Sequence, residues 1–443
     1  MWPWQKLAHV CQRWRRIVFE FPHCLRAYPI YKAKTDVHVT LDVWPALPLR
    51  IIADFKDENE GNITGALGHR DRIVGIDLNG FNYSRLKKCI ALMLEPFPVL
   101  RYLCLEGSTN MTFVIPDAFL NASAPLLQDI CLRGVQFPSL PRLLSSTSNL
   151  VSLALESIPM TGEGHISPDA MITCLSVLTK LQLLAIEFLD QTLSSYPTDQ
   201  PPPSSAHTVL PSLDYLWLVG PHGYLEDLLG RVDTPLLKSG SLRFYDGGTT
   251  HNTSQVARFI HRTKMFKLLG EAKLEFYRTC ISISFHSSIS PAEFSLVLEC
   301  YGLPAQVVIT ERICAQWPPL VSHVELLKLG YSGADFKERK WRETITPWLG
   351  LLRPFTAVRT LCLFGTASPP HVAYILGELG GERTTEVLPA LRTINLSLRA
   401  VATRYYYAHR LDASGTLRLL GPFLAARKER ERRVLVNVNS EYY

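Results

Sequence analysis

Leu100-Arg-Tyr-Leu103-Cys-Leu105 and Leu127-Gln-Asp-Ile130-Cys-Leu132 follow one another between Phe97 and Pro138, and both have the form L-x-x-L-x-L. A strand sends alternate side chains to opposite faces, so the last two apolar residues of each copy point into a core and those beside them point away. Neither copy covers its own apolar face, so each requires a neighbour.

The neighbours are present in the chain. Ile73/Ile76/Leu78, Leu150/Leu153/Leu155, Leu181/Leu184/Ile186, Leu213/Leu216/Leu218, Val358/Leu361/Leu363 and Leu391/Ile394/Leu396 repeat the spacing, with weaker copies at Leu237/Gly240/Leu242 and Val321/Val324/Leu326. The middle residue falls at 76, 103, 130, 153, 184 and 216, and later at 361 and 394. Steps of about 23 to 33 residues belong to a solenoid whose repeat is one strand and a return segment. The expected fold class is α/β, a curved parallel sheet with helical or irregular returns.

Composition agrees with this. A chain of 443 residues, 47% hydrophobic and 19% charged, is neither disordered nor fibrous, and it exceeds the usual size of one globular domain unless it forms a quasi-linear array. A net charge of +6 over this length is too diffuse to imply nucleic acid or an anionic membrane as partner. No apolar run approaches the ~20 residues of a membrane span, and Met1-Trp-Pro-Trp does not open a secretory leader, so an intracellular protein, cytoplasmic or nuclear, is expected. The ten cysteines include no C-x-x-C pair, and Cys104, Cys131 and Cys362 share one strand slot, which reads as small strand residues in a reducing compartment.

At the start, Leu7, Val10, Cys11, Trp14, Val18 and Phe21 fall on one helical face, with Lys6, His9, Arg13, Arg16 and Glu20 largely opposite and Pro22 as the stop. The wording Trp4-Gln-Lys-Leu7-Ala-His-Val10-Cys11-Gln-Arg13-Trp14-Arg15-Arg16 resembles the second half of an F-box, with its V-C-x-x-W-R segment; the first half, L-P-x-E-x-L-x-x-I-F, does not occur in the chain. With the continuation through Pro22, His23, Leu25 and Trp44-Pro-Ala-Leu-Pro-Leu, most of the chain is similar to the F-box and leucine-rich-repeat proteins abundant in mushroom-forming fungi. The resemblance implies residues 1–35 as a partial F-box-like helix and linker, and 36–443 as a leucine-rich-repeat-like solenoid. It also implies that Leu7, Val10, Cys11 and Trp14 dock on the Skp-type adaptor of a cullin ubiquitin ligase, while the repeats hold a target protein. The alternative is a repeat scaffold with no ubiquitin link.

Return segments are expected at Tyr83 to Leu94, Pro116 to Asn121, Pro138 to Ser145 and Ser167 to Leu178, the last with Ser167 as N-cap and Pro168 in the first turn. A Pro-rich loop occupies 191–211. Over 239–317 the repeat degenerates: Ser254 to Leu269 and Pro291 to Tyr301 read as helices, Lys273 to Phe285 and Gln306 to Thr310 as strands. Glu338 to Leu352, Pro370 to Leu379 and Leu411 to Arg433 read as helices, the first interrupted near Pro347 and the last broken at Gly421-Pro422, and Val434-Leu-Val-Asn-Val as a last strand. Arg427-Lys-Glu-Arg-Glu-Arg-Arg reads as a polar outer edge of the terminal repeat.

No phosphate-binding, zinc-protease or serine-hydrolase motif occurs, and the 13 histidines are dispersed, so neither enzyme activity, a cofactor nor a metal is expected. The repeat does present a surface. Stacked strands line the concave face, and Tyr102, Glu106, Asp129, Arg133, Glu156, Tyr215, Trp217 and Phe364 occupy outward slots on it. Aromatics and Arg concentrate at the centres of protein interfaces, so this row is the candidate target-binding face, with Tyr102, Arg133, Tyr215, Trp217 and Phe364 as anchors.

Overall fold

Each L-x-x-L-x-L copy from Ile73 to Ile186 forms a strand, and these strands pair in parallel. The computed structural model describes residues 10–20, 48–54, 60–81, 83–107, 113–159, 165–189, 207–245, 253–331, 345–365, 368–379, 381–397 and 413–439. The chain divides into two compact units, 1–217 with 231–234, and 218–230 with 235–443.

The first unit holds α1 (Gln12–Glu20), β1 (Leu49–Asp54), α2 (Glu60–Leu67), β2 (Ile73–Phe81), α3 (Tyr83–Leu92), β3 (Tyr102–Gly107) and β4 (Phe113–Val114). It continues with β5 (Asp129–Arg133), β6 (Val135–Gln136), α4 (Leu140–Ser145), β7 (Ser152–Ile158), α5 (Pro168–Ser176), β8 (Leu183–Phe188) and β9 (Thr208–Val209). Its sheet runs β1-β2-β3-β5-β7-β8, followed by β10 (Tyr215–Gly220), within which the division between the units falls. Register places Leu78, Leu105, Leu132, Leu155 and Ile186 in one column and Ile76, Leu103, Ile130, Leu153 and Leu184 in the next. Both columns are buried, because stacking is the one way a series of single strands covers its inner faces.

The first leucine of the motif has its own task. The N–H groups of Leu100, Leu127, Leu150, Leu181 and Leu213 donate to the carbonyls three residues back, at Phe97, Ala124, Thr147, Leu178 and Leu210, so each strand is entered through the same tight turn. These residues are buried as well, and they cap one edge of the core. The returns differ in length. Phe119–Ala122 is a short 3-10 turn, whereas α5 is a helix whose Ser167 side chain accepts from the Ala170 N–H, as the Ser-Pro wording predicts. Two small parallel pairs, β4 with β6 and β9 with β11 (Val232–Asp233), complete this unit. At Gly107 a Cβ would lie 2.8 Å from the Gly134 carbonyl oxygen, so the close approach of these two chain segments requires glycine.

The second unit contains α6 (His222–Gly230), β12 (Ser239–Phe244), α7 (Ser254–Arg262), β13 (Glu271–Phe276), β14 (Cys280–His286), β15 (Glu293–Glu299), α8 (Leu303–Gln316) and α9 (Pro318–Val321). Beyond them lie β16 (Leu326–Tyr331), α10 (Ile345–Leu352), β17 (Thr360–Gly365), α11 (Ser368–Gly377), β18 (Thr393–Ser397), α12 (Ala413–Glu429) and β19 (Leu435–Asn439). Its sheet order is β12-β15-β14-β13-β16-β17-β18-β19, parallel except for β14, which runs antiparallel to both neighbours. Each unit is thus mixed α/β with a mostly parallel sheet.

Three sequence expectations are corrected in the blurred region. Lys273 to Phe285 is not one strand but the β13–β14 hairpin. Pro291 to Tyr301 is the strand β15: Phe294, Leu296 and Leu298 alternate inward against Ile283 and Leu242, a period-2 burial that overrides the helix-like spacing of Phe294, Val297 and Leu298. Gln306 to Thr310 lies inside α8 despite its β-branched run, because Val307, Thr310, Ile313 and Cys314 bury one helical face. Gln306 is buried too, its amide donating to the carbonyls of Tyr277 and Cys300, both at 2.7 Å, and so tying α8 to the β13–β14 turn and to the end of β15. The weak copy Val321/Val324/Leu326 is out by three residues. Val324 N–H donates to Val321 O, the entry turn of the other repeats, and Leu327 and Leu329 are the inward pair. At the end of the chain α12 runs through Pro422 without a break, and Arg427 is fully buried instead of edging the array.

Glu226 on α6 caps the N-terminus of α7: its carboxylate accepts from Gln255 N–H at 2.8 Å and Val256 N–H at 3.1 Å. Burial pushes its pKa up to about 7, outweighing those two donors and Arg258. The unfolded chain therefore releases this proton at lower pH than the folded one, and stability falls as pH rises from about 5 to about 7. Glu226→Gln should remove that slope, so that the variant gains on wild type by about 3 kcal/mol across the window. Urea unfolding at a series of pH values measures it, and parallel curves would show that Glu226 is not the source.

Candidate functional site: the outward strand face

The same register that buries the leucines aligns the outward residues of the first unit into three transverse rows. The first runs Arg50, Gly75, Tyr102, Asp129, Ser152; the second Ile52, Asp77, Cys104, Cys131, Ala154; the third joins Glu106, Arg133 and Glu156. Five of the residues singled out from the sequence, Tyr102, Glu106, Asp129, Arg133 and Glu156, are thereby brought together on three adjacent strands.

In the first row, Gly75 has no side chain to block Arg50, and a Cβ there would lie 3.1 Å from the Arg50 stem. The guanidinium crosses this gap and stacks 4.8 Å from the Tyr102 ring centroid, a cation–π contact that fixes the ring. Burial, with Cys104 and Asp77 close by, raises the Tyr102 pKa, and burial also raises that of Asp129. In the third row Arg133 Nε donates to Glu156 at 2.6 Å while its Nη1 lies 3.3 Å from Glu106. The hydrogen bond to Glu156 raises the Arg133 pKa. Such half-exposed pairs add little stability, but they hold the guanidinium in one place. Arg50 Nε and Asp77 Oδ1 in these rows, and Asn79 Oδ1 beside them, are buried without a hydrogen-bond partner among the described residues, polar capacity still to be satisfied at this end of the face.

β10 lies beside β8, with Asp214 and Tyr215 N–H both donating to Gln182 O. Leu216 and Leu218 are buried, whereas Tyr215 is 37% exposed and Trp217 is half-buried, so both rings lie on the outward side. Phe364 belongs to the second unit. Its half-buried ring lies over Gly330 on β16, where a Cβ would sit 2.4 Å from it, and Lys273 Nζ is 5.4 Å from its centroid.

Of the F-box-like positions, Val10 is 64% and Trp14 45% exposed, and Cys11 and Ile17 are exposed too, so this helix presents an apolar stripe to solvent. Leu7 lies outside the described residues, as does the segment Tyr196-Pro-Thr-Asp-Gln-Pro-Pro-Pro-Ser-Ser. Sequence reasoning missed Arg50 and Gly75. Their signal was an arginine and a glycine in consecutive outward slots, legible only once β1 and β2 are paired. Among the described residues no group of three or more His, Cys, Asp or Glu is placed to hold a metal, and no helix is long and apolar enough to cross a membrane. The chain matches no protein-family model, and no curated protein is found similar to it.

Proposed function

We propose that this chain is a protein-recognition subunit: a leucine-rich-repeat-type solenoid that captures a target protein on its outward strand face and, through α1, engages the Skp-type adaptor of an SCF-type ubiquitin ligase. Catalysis belongs to other subunits in this reading. The observation that carries it is the alignment, on in-register parallel strands, of Tyr102 under Arg50 and of Arg133 between two carboxylates, with Tyr215 and Trp217 outward on β10. Rigid aromatics and a fixed arginine suit an interface centre. The exposed stripe of Trp14 and Ile17 on α1, with Val10 just before it, supports the adaptor half.

The adaptor half is tested by calorimetry with a purified Skp-type adaptor: wild type binds and Trp14→Asp does not. For the target half, proteins retained by the wild-type chain are identified and the purified partner titrated. Trp217→Ala should weaken binding by ~2 kcal/mol or more, roughly 30-fold, with an unchanged melting temperature. Unchanged affinity removes this face, and an equal loss of stability reassigns Trp217 to the core. A second reading, a scaffold without a ubiquitin link, draws on the nine-residue length of α1, a small part of a standard interface. Target binding without adaptor binding would select it.

A further inference from the structure

Cys104 and Cys131 are direct register partners on β3 and β5, both in outward, half-buried slots. Adjacent strands lie about 4.7–4.9 Å apart, within the Cα separation of about 4.4–6.8 Å that a disulfide bridges. The flanking outward slots of the same row hold Asp77 on β2 and Ala154 on β7, so the slot directly beside Cys131 in this row carries only a methyl group.

We propose that Cys104 and Cys131 form a reactive dithiol, a modification site that glutathione disulfide converts reversibly to an intrachain disulfide across the β3–β5 pair. A hydrogen bond between the two thiols, with Arg133 nearby, lowers the Cys131 pKa against the opposing effects of burial and of the Glu156 and Glu106 carboxylates, while that of Cys104 rises. Cys131 is therefore the attacking thiolate. It displaces one glutathione thiolate from glutathione disulfide, forming a mixed disulfide at Cys131. Cys104 then loses its proton and attacks Cys131 Sγ, expelling the second glutathione. Two protein thiols are oxidised, and one glutathione disulfide is reduced to two molecules of glutathione. Disulfides favour a Cβ separation of about 3.5–4.5 Å, slightly under the strand spacing, so closing the bond draws the two strands together and leaves it readily reducible. The proposal is independent of whether this face binds a protein.

Trypsin excises Tyr102 to Arg133 as a single peptide in which Cys104 and Cys131 are the two cysteines. The folded chain is incubated with glutathione disulfide, its remaining thiols are alkylated, and the digest is weighed. The expected peptide is lighter by two hydrogen atoms than the reduced form, carries no alkyl group and regains two alkylation sites after treatment with excess reduced glutathione. Cys104→Ser should instead retain one glutathione on Cys131. The same reaction in urea should be at least about tenfold slower, because effective concentration comes from the register. Two alkylated thiols in the native digest, a stable glutathione adduct on the wild-type peptide, or equal rates in urea would each overturn the proposal.

Discussion

Leu105→Ala should lower the free energy of unfolding by about 2–5 kcal/mol, the cost of removing a buried leucine from a site that collapses only partly. Leu105 is wholly inaccessible to solvent and sits in register between Leu78 and Leu132, so the lost methyl groups face neighbours on both adjacent strands. Each of those neighbours is held by its own backbone ladder, and relaxation into the cavity is limited accordingly. Urea unfolding followed by circular dichroism measures the change, with Leu155→Ala, in the same column, as its companion. A shift within ~0.5 kcal/mol, the size typical of surface substitutions, would show that this column is not core.

Arg427→Ala should cost about 2–5 kcal/mol, because Val387 O loses its donor at a penalty of ~1–3 kcal/mol, Leu388 O keeps only the Leu391 N–H, and the packing of the long stem is lost as well. The arginine is fully buried on α12. Its Nη2 donates to Val387 O at 2.8 Å and Leu388 O at 2.9 Å, and its guanidinium lies 5.1 Å from the centroid of the Phe423 ring. These carbonyls belong to the turn that enters β18, where Leu388 is held at φ 48° and accepts from Leu391 N–H. Arg427→Met separates packing from hydrogen bonding: it refills most of the volume and still orphans the Val387 carbonyl, so most of the loss should remain. Near-wild-type stability of Arg427→Met would assign the effect to packing alone.

The strand repeat was legible without coordinates, because a period-2 apolar pair preceded by a leucine three residues earlier has few ways to be buried, and its recurrence at solenoid spacing restricts these to a stack. The helix start at Ser167-Pro168 was legible for a local reason, the match between a hydroxyl cap and a proline with no N–H to satisfy. By the same logic the outward rows followed from alternation alone, so Tyr102, Glu106, Asp129, Arg133 and Glu156 emerged as neighbours before any distance was known. Tertiary structure decided what rests on pairing between segments far apart in the chain. Phe294 and Val307 carry apolar patterns compatible with either strand or helix, and only pairing with β12 and β14 gave the first a ladder, while an amphipathic face gave the second a helix. A charged run at 427–433 says nothing of which arginine turns inward; the buried Val387 carbonyl, in a turn 40 residues earlier, selected Arg427. Two cysteines 27 positions apart are scattered in the sequence and adjacent in the sheet, because strand register, set by the leucines on the other face, is what brings their sulfur atoms together.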